Sequence, residues 1–70
     1  MQRFGGKLRT LRKKHGLSYR KLASELGVAH SHIAGIEAGS HKPSADLVLK
    51  IAKFFQVSTD QLMDDDLELD

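Results

Sequence analysis

Three pairs of apolar residues lie five positions apart, and each pair brackets a position where a helix can begin. The pairs are Leu17 with Leu22, Val28 with Ile33, and Val57 with Leu62. This spacing is typical of a hydrophobic staple, in which the residue before the N-cap packs on the fourth helical residue. Because each staple starts a new helix, the chain of 70 residues is predicted to fold as a series of short helices.

Capping residues and apolar periodicity complete the helix map. Ser18 and Ser58 are good N-caps, whereas Ala29 is a poor one. Gly27 and Gly39 follow two of the helices, at the place where a left-handed residue is easiest for glycine. The predicted helices cover residues 4–14, 19–26, 30–37, 45–55 and 59–63. No strand pattern competes, so we expect an all-α domain.

Composition excludes several classes of protein. The chain has no cysteine, which rules out disulfides, thiolate metal sites and thiol nucleophiles. No run of residues approaches the roughly 18 apolar positions of a membrane-spanning helix. The first residues lead into charges instead of the apolar stretch of a signal peptide. We therefore expect a cytoplasmic protein with no membrane partner.

The net charge of +2 conceals a strong polarity along the chain. Residues 1–21 contain eight Lys and Arg and no acidic residue, whereas residues 60–70 contain six Asp and Glu and no Lys or Arg. Residues 1–59 thus carry +8 and residues 60–70 carry −6. A body this basic attracts polyanions such as nucleic acid. The alternative is that both charge runs simply solvate opposite ends of the domain.

Very little chain joins the second and third predicted helices. The connection, residues 27–29, contains a glycine, and two helices joined by so short a turn must cross steeply. Ala23 is small at the point where such a crossing brings the backbones close. The spacing of Ala23, Gly27, Ile33 and Ile36 is that of a helix-turn-helix.

An ordered set of short segments extends this pattern over nearly the whole chain. The segments are Phe4-Gly5, Leu8-Arg9, Leu11-Arg12, Gly16-Leu17-Ser18, Leu22-Ala23, Leu26-Gly27-Val28, Ile33, Ile36-Glu37, Gly39, Lys42-Pro43-Ser44 and residues 52–57. In this set the chain resembles the phage-repressor and Cro-type helix-turn-helix family. The resemblance implies a five-helix lambda-repressor-like domain, which we place over residues 1–63. The run of acidic residues after it marks residues 64–70 as an acidic tail.

The same resemblance implies a function. It implies a regulator of transcription, a repressor, that binds double-stranded DNA at a roughly palindromic operator as a homodimer. The third helix would lie in the major groove, where residues at its N-terminal end reach base edges. The protein would be cytoplasmic and associated with the nucleoid.

Site residues carry over by position. His30, Ser31, His32 and Gly35 would read bases, and Tyr19, Arg20, Ser40, His41 and Lys42 would bind phosphates. Arg12 and Glu37 would form a structural ion pair, and Val57, Leu62, Met63 and Leu67 would line the dimer interface. Some assignments have an alternative, because the Tyr19 ring could pack instead and Arg20 could be a solvated residue. Since Gly35 has no side chain, more of the specificity would come from DNA shape or bound water.

Two other classes of function compete with this reading. The four histidines have no i, i+4 spacing and no carboxylate cluster beside them, so we expect no metal, no cofactor and no enzymatic activity. An antitoxin or a restriction-modification controller would combine DNA binding with a protein partner. The acidic tail could bind such a partner, could compete with DNA for the basic body, or could be frayed and solvated.

Overall fold

Five helices form where the caps and staples predict them. In the computed structural model, which describes residues 2–69, the helices are α1 (Phe4–Lys14), α2 (Tyr19–Leu26), α3 (His30–Ala38), α4 (Ala45–Phe55) and α5 (Thr59–Met63). Only α3 departs from prediction, by one residue at its C-terminal end. No strand forms within the described residues. Met1, the first residue of the predicted domain, and Asp70, the last of the predicted tail, lie outside them.

The capping predictions are confirmed at the starts of α2, α3 and α5. The Ser18 side chain accepts a hydrogen bond from the backbone N–H of Lys21 at 3.0 Å. Ser58 and Gln61 form both halves of a capping box, each bond 2.9 Å long. Ala29 makes no side-chain cap bond, so α3 begins without one.

The hydrophobic staples also form as predicted. The second residue of each pair (Leu22, Ile33 and Leu62) has no exposed surface. The first residue of each pair (Leu17, Val28 and Val57) is half-buried against the core. The backbone N–H of each first residue also donates, at 3.0 Å, to the carbonyl five positions earlier, which closes the preceding helix.

All five helices contribute to one core. Its buried apolar residues are Phe4, Leu8, Leu11, Leu22, Ala23, Leu26, Ile33, Ile36, Leu47, Val48, Ile51, Ala52, Phe55 and Leu62. The burial of Leu62 corrects its assignment to the dimer interface, because a side chain enclosed within one chain cannot line an exposed surface. Phe54, unlike its neighbour Phe55, lies outside this core: it is 38% exposed and packs edge-on against Phe55.

Helix α1 approaches the C-terminal end of α3 very closely at Gly5. A Cβ atom at Gly5 would lie 2.5 Å from the carbonyl oxygen of Ile36 and 2.8 Å from that of Glu37. Glycine is therefore required here by contact distance. This close approach fixes α3 against α1 and so sets the position of the helix-turn-helix in the domain.

The acidic C-terminal segment is docked on the start of α1. Lys7 is only 3% exposed, and its ammonium donates to three backbone carbonyls, those of Gln61 at 2.5 Å and of Asp64 and Leu67 at 2.7 Å. Leu69 packs against the core. Of the alternatives for the acidic tail, a frayed one is thus wrong for residues 64–69, which are docked although several of their side chains are exposed.

Side-chain carboxylates complete this docking. Asp65 accepts hydrogen bonds from the backbone N–H groups of Arg3 and Gln2, both at 2.9 Å. The Arg3 guanidinium bonds both carboxylate oxygens of Glu68, at 2.9 and 3.1 Å. These bonds lower the pKa of Asp65 and the pKa of Glu68 below their ordinary values. We call the contacts of Gln2, Arg3 and Lys7 with residues 61–69 the terminal clasp.

Candidate nucleic-acid interface

The turn between α2 and α3 has the geometry that a helix-turn-helix requires. Gly27 adopts a left-handed conformation with φ of 73°, which ends α2 and lets α3 begin three residues later. Ala23 is 2% exposed, as expected for a small residue at a close crossing of helices. The sequence-based prediction of this motif is confirmed.

Helix α3 has one buried face and one open face. Ile33 and Ile36 are buried in the core, whereas His30 and Ser31 are exposed and His32 is half-buried. Three of the four residues predicted to read bases (His30, Ser31 and His32) therefore lie at the N-terminal end of α3 and are at least partly accessible. This is the end of a recognition helix that reaches base edges.

Gly35 has a role that the sequence did not reveal. The imidazole of His41 lies where a side chain at Gly35 would be: an ideal Cβ would fall within 2.7 Å of the His41 Cγ atom. The carbonyl of Gly35 accepts hydrogen bonds from the backbone N–H groups of Ser40 at 2.8 Å and His41 at 3.1 Å. The His41 ring therefore covers the outer surface of Gly35. This corrects the assignment of Gly35 as a residue that itself reads bases.

The His41 ring also meets a residue of α3. Its Nδ1 atom lies 3.1 Å from the Nδ1 of His32, and the two ring centroids are 5.2 Å apart with a tilt of 32°. Sequence reasoning placed His32 among the base-reading residues and His41 among the phosphate-binding ones, and it missed their contact. A glycine within α3 was the one signal in the sequence that another group covers the outer surface of this helix.

These histidines do not belong to a larger ligand cluster. Across residues 2–69, no group of three or more His, Cys, Asp and Glu side chains is placed to hold a metal ion. The same part of the chain contains no helix long and apolar enough to cross a membrane.

The predicted ion pair between α1 and α3 is present and buried. Arg12 Nε lies 2.7 Å from Glu37 Oε2, and a second bond of 3.1 Å joins the other oxygen to Nη2. The side chains are only 10% and 3% exposed. The hydrogen bond with Glu37 raises the pKa of Arg12 above its ordinary value, so the guanidinium stays charged. Arg12 is thus a structural residue.

Tyr19 lies beside this pair. Its ring is stacked on the Arg12 guanidinium, which lies 4.2 Å from the ring centroid. Ring packing, the alternative to phosphate contact, is therefore observed. Tyr19 is nonetheless 37% exposed, and a tyrosine with one packed face can still donate from its hydroxyl.

Internal contacts use part of the N-terminal positive charge. Three of the eight cationic side chains in residues 1–21 (Arg3, Lys7 and Arg12) donate hydrogen bonds to other groups of this chain. The other five (Arg9, Lys13, Lys14, Arg20 and Lys21) are exposed. Of these, Lys21 lies 3.5 Å from Glu25 in an exposed pair. After α3, Ser40 and Lys42 are exposed as well, so cationic groups flank both ends of the helix-turn-helix.

The model of the Helix-turn-helix family matches residues 8–62 of the chain. The chain belongs to this helix-turn-helix family. Its members are DNA-binding regulators of transcription, a class without enzymatic activity.

Two curated relatives are similar to this chain over most of its length. The HTH-type transcriptional regulator YobD of Bacillus subtilis is 40% identical over 57 residues, and MJ0272 of Methanocaldococcus jannaschii is 43% identical over 56. The matches cover 81% and 80% of this chain. They cover 51% of YobD and 85% of MJ0272, so the chain spans about half of one relative and most of the other.

Solved structures of helix-turn-helix proteins share the fold. The N-terminal DNA-binding domain of SinR from Bacillus subtilis matches with a TM-score of 0.85 and 30% identity, over 97% of this chain and all of that domain. The restriction-modification controller protein C.AhdI of Aeromonas hydrophila matches with a TM-score of 0.79 and 34% identity, over 87% and 92% of the two chains. The P22 c2 repressor bound to a synthetic operator matches with a TM-score of 0.83 and 28% identity, over 90% and 96%. All three are lambda-repressor-like and all-α, which confirms the predicted fold class.

Proposed function

We propose that this chain is a sequence-specific repressor that binds double-stranded DNA as a homodimer, with α3 in the major groove of each half-site. The observation that carries the proposal is the open N-terminal end of α3, where His30 and Ser31 are exposed while Ile33 and Ile36 anchor the opposite face. Imidazole and hydroxyl groups can both hydrogen-bond base edges in the major groove.

Phosphate contacts would come from both sides of α3. Arg20 lies at the start of α2, and Ser40 and Lys42 lie in the loop after α3. Tyr19 would contribute its hydroxyl while its ring stays on Arg12. Such contacts position a protein on the duplex without carrying sequence information themselves.

A homodimer would use the remaining apolar surface near α5. Met63 and Leu67 are 43% and 41% exposed, and Val57 is half-buried. A dimer that places two copies of α3 about 34 Å apart would read a roughly palindromic operator. The similarity to the P22 c2 repressor, whose structure holds an operator, supports a repressor. Such a protein would work in the cytoplasm, at the nucleoid.

A controller protein is the second candidate. The similarity to C.AhdI favours it, since that protein is a restriction-modification controller. Such a protein, or an antitoxin, would also bind a protein partner through its C-terminal region. Asp64 and Asp66 are exposed in this segment, and one oxygen of the Asp64 carboxylate accepts the backbone N–H of Asp66 at 2.9 Å. A basic partner would contact these two carboxylates.

Selection of bound sequences from random duplex DNA tests the proposal directly. We expect one enriched motif with two half-sites in inverted orientation about one helical turn apart. Binding to that motif should weaken with salt, with a slope of log affinity against log salt of about −5 or steeper if the dimer neutralises about six phosphates. Absence of any enriched motif would contradict the proposal.

Two variants sharpen this experiment. Arg20→Ala removes one phosphate contact from each protomer of the dimer, so it should reduce the salt slope by about two units and weaken binding to all sequences alike. Lys53→Ala, an equal charge change on the exposed surface of α4, is the matched control and should leave the slope unchanged. If both variants changed the slope equally, only the overall charge would be acting.

A further inference from the structure

Two histidines from different segments form one unit on the outer surface of α3. His32 belongs to α3 and His41 to the loop after it, and their Nδ1 atoms lie 3.1 Å apart. We propose that His41 is a base-reading residue, which acts with His32 as a pair of imidazoles in the place of the side chain that Gly35 lacks. The proposal rests on the function proposed above and adds a specificity-determining residue from outside the recognition helix.

The backbone holds the loop in this position. The single carbonyl of Gly35 accepts the N–H groups of both Ser40 and His41, at 2.8 and 3.1 Å. The His41 ring then occupies the space beside the Gly35 Cα, where any Cβ would overlap it. The His41 ring is thus held against α3 by the bonds of its own backbone and by its contact with His32.

The contact between the rings defines which groups they can offer to DNA. A hydrogen bond between two Nδ1 atoms needs one nitrogen that carries a proton and one that does not. The accepting ring is therefore neutral and carries its single N–H proton on Nε2. The pair thus always offers at least one Nε2–H donor. The second Nε2 is an acceptor if the pair holds two protons and a donor if it holds three.

These two patterns match purine edges in the major groove. One donor with one acceptor complements N7 and the N6 amino group of adenine, and two donors complement N7 and O6 of guanine. A phosphate oxygen would need only a donor and would not distinguish bases. The pair is thus suited to select a purine over a pyrimidine at the base pair it contacts.

Selection from random duplex DNA with the full chain tests this inference. The variants are His41→Ala, which removes the ring, and Gly35→Ala, whose new Cβ displaces it; thermal melting confirms that each variant is folded. Lys53→Ala is the control, because it changes an exposed residue of α4 outside the proposed DNA interface and leaves both rings in place. We expect His41→Ala and Gly35→Ala to lose the purine preference at the same position of each half-site, by about 5- to 150-fold, while Lys53→Ala keeps it.

Other results would overturn the inference. If the wild-type chain selects a motif and His41→Ala selects the same motif with uniformly lower affinity, His41 binds phosphate only. If His41→Ala loses the purine preference but Gly35→Ala keeps it, the packing of the His41 ring against Gly35 is not what orients the ring. If the wild-type chain selects no motif, the proposed function fails first, and that result is distinct from the other two.

Discussion

Arg12 bonds Glu37 through two nitrogens, and this pair ties α1 to the C-terminal half of α3 in a nearly solvent-free position. Arg12 also donates to the carbonyl of Leu17 at 2.9 Å, so its guanidinium connects three segments of the chain. The position of α3 therefore depends on one charged contact as well as on apolar packing.

Removal of one partner of this pair should be costly. Glu37→Ala leaves a buried guanidinium without its counter-charge, and we expect a loss of about 3–5 kcal/mol in the free energy of unfolding. Urea denaturation measures this change. Glu25→Ala is the matched control, because it breaks the exposed pair with Lys21 and should change stability by about 0.5 kcal/mol or less. A Glu37→Ala variant that keeps its stability but loses DNA affinity would show that the pair acts in binding.

The two adjacent glycines of α1 offer a direct test of the approach between α1 and α3. Gly5→Ala places a methyl group against the carbonyls of Ile36 and Glu37, and we expect it to destabilise the fold by about 1–3 kcal/mol. Gly6→Ala meets no atom within 4 Å and should stabilise the helix by about 0.5–1 kcal/mol. Thermal melting of the two variants distinguishes them. If the melting temperatures of the two variants shifted equally and in the same direction, backbone flexibility would account for both changes, and the contact at Gly5 would not.

The uncapped start of α3 predicts a stabilising substitution. Ala29 has φ of −72° and ψ of 142°, the extended conformation that N-cap residues adopt, but it has no side-chain oxygen. Ala29→Ser should therefore raise the free energy of unfolding by about 1 kcal/mol, or the melting temperature by about 4–8 °C. Ser58→Ala, which removes an existing cap, should lower stability by a similar amount. An unchanged melting temperature in Ala29→Ser would contradict the prediction.

The terminal clasp should be sensitive to acid. Backbone N–H groups of Arg3 and Gln2 hold the pKa of Asp65 below its ordinary value, and Arg3 does the same for Glu68. Because the pKa values of both carboxyl groups are lower in the folded state than in the unfolded state, the ionised carboxylates stabilise the fold. This stabilisation is complete above about pH 4.5 and is lost as the pH falls through the folded-state pKa values.

Urea denaturation between pH 7 and pH 3 checks this dependence. Asp65→Asn should have a lower free energy of unfolding than the wild-type chain at neutral pH. Its free energy of unfolding should also fall less steeply as the pH is lowered. Asp66→Asn changes the charge of the same segment and leaves the bonds to Gln2 and Arg3 intact, so it should follow the wild-type curve. Identical pH profiles for all three proteins would show that the clasp contributes no pH dependence.

Local signals account for what the sequence could predict. Ser18, Ser58, Gly27 and Gly39 act within a few residues of themselves, so helix boundaries could be read directly from the chain. The helix-turn-helix could be predicted for the same reason, since its two helices are neighbours in sequence. The bonds between Arg12 and Glu37 could be expected only through a family resemblance, because 25 positions separate the two residues.

The missed features depend on the path of the chain in three dimensions. His41 meets His32 only because two backbone bonds to Gly35 turn the loop back onto α3. Lys7 follows Phe4 by three positions and thus lies close to the apolar face of α1, but its burial depends on carbonyls near the other end of the chain. A charge pattern alone could not distinguish a docked acidic segment from a solvated one.

The terminal clasp also bears on the order in which the domain folds. Its bonds join groups that are 54 to 65 positions apart, whereas α2 and α3 are adjacent along the chain. Closing a long loop has a higher entropic cost than closing a short one, so we expect the clasp to form last and to open first in native-state fluctuations. The least protected backbone amides should then lie near the chain ends, and local opening there would leave the helix-turn-helix assembled.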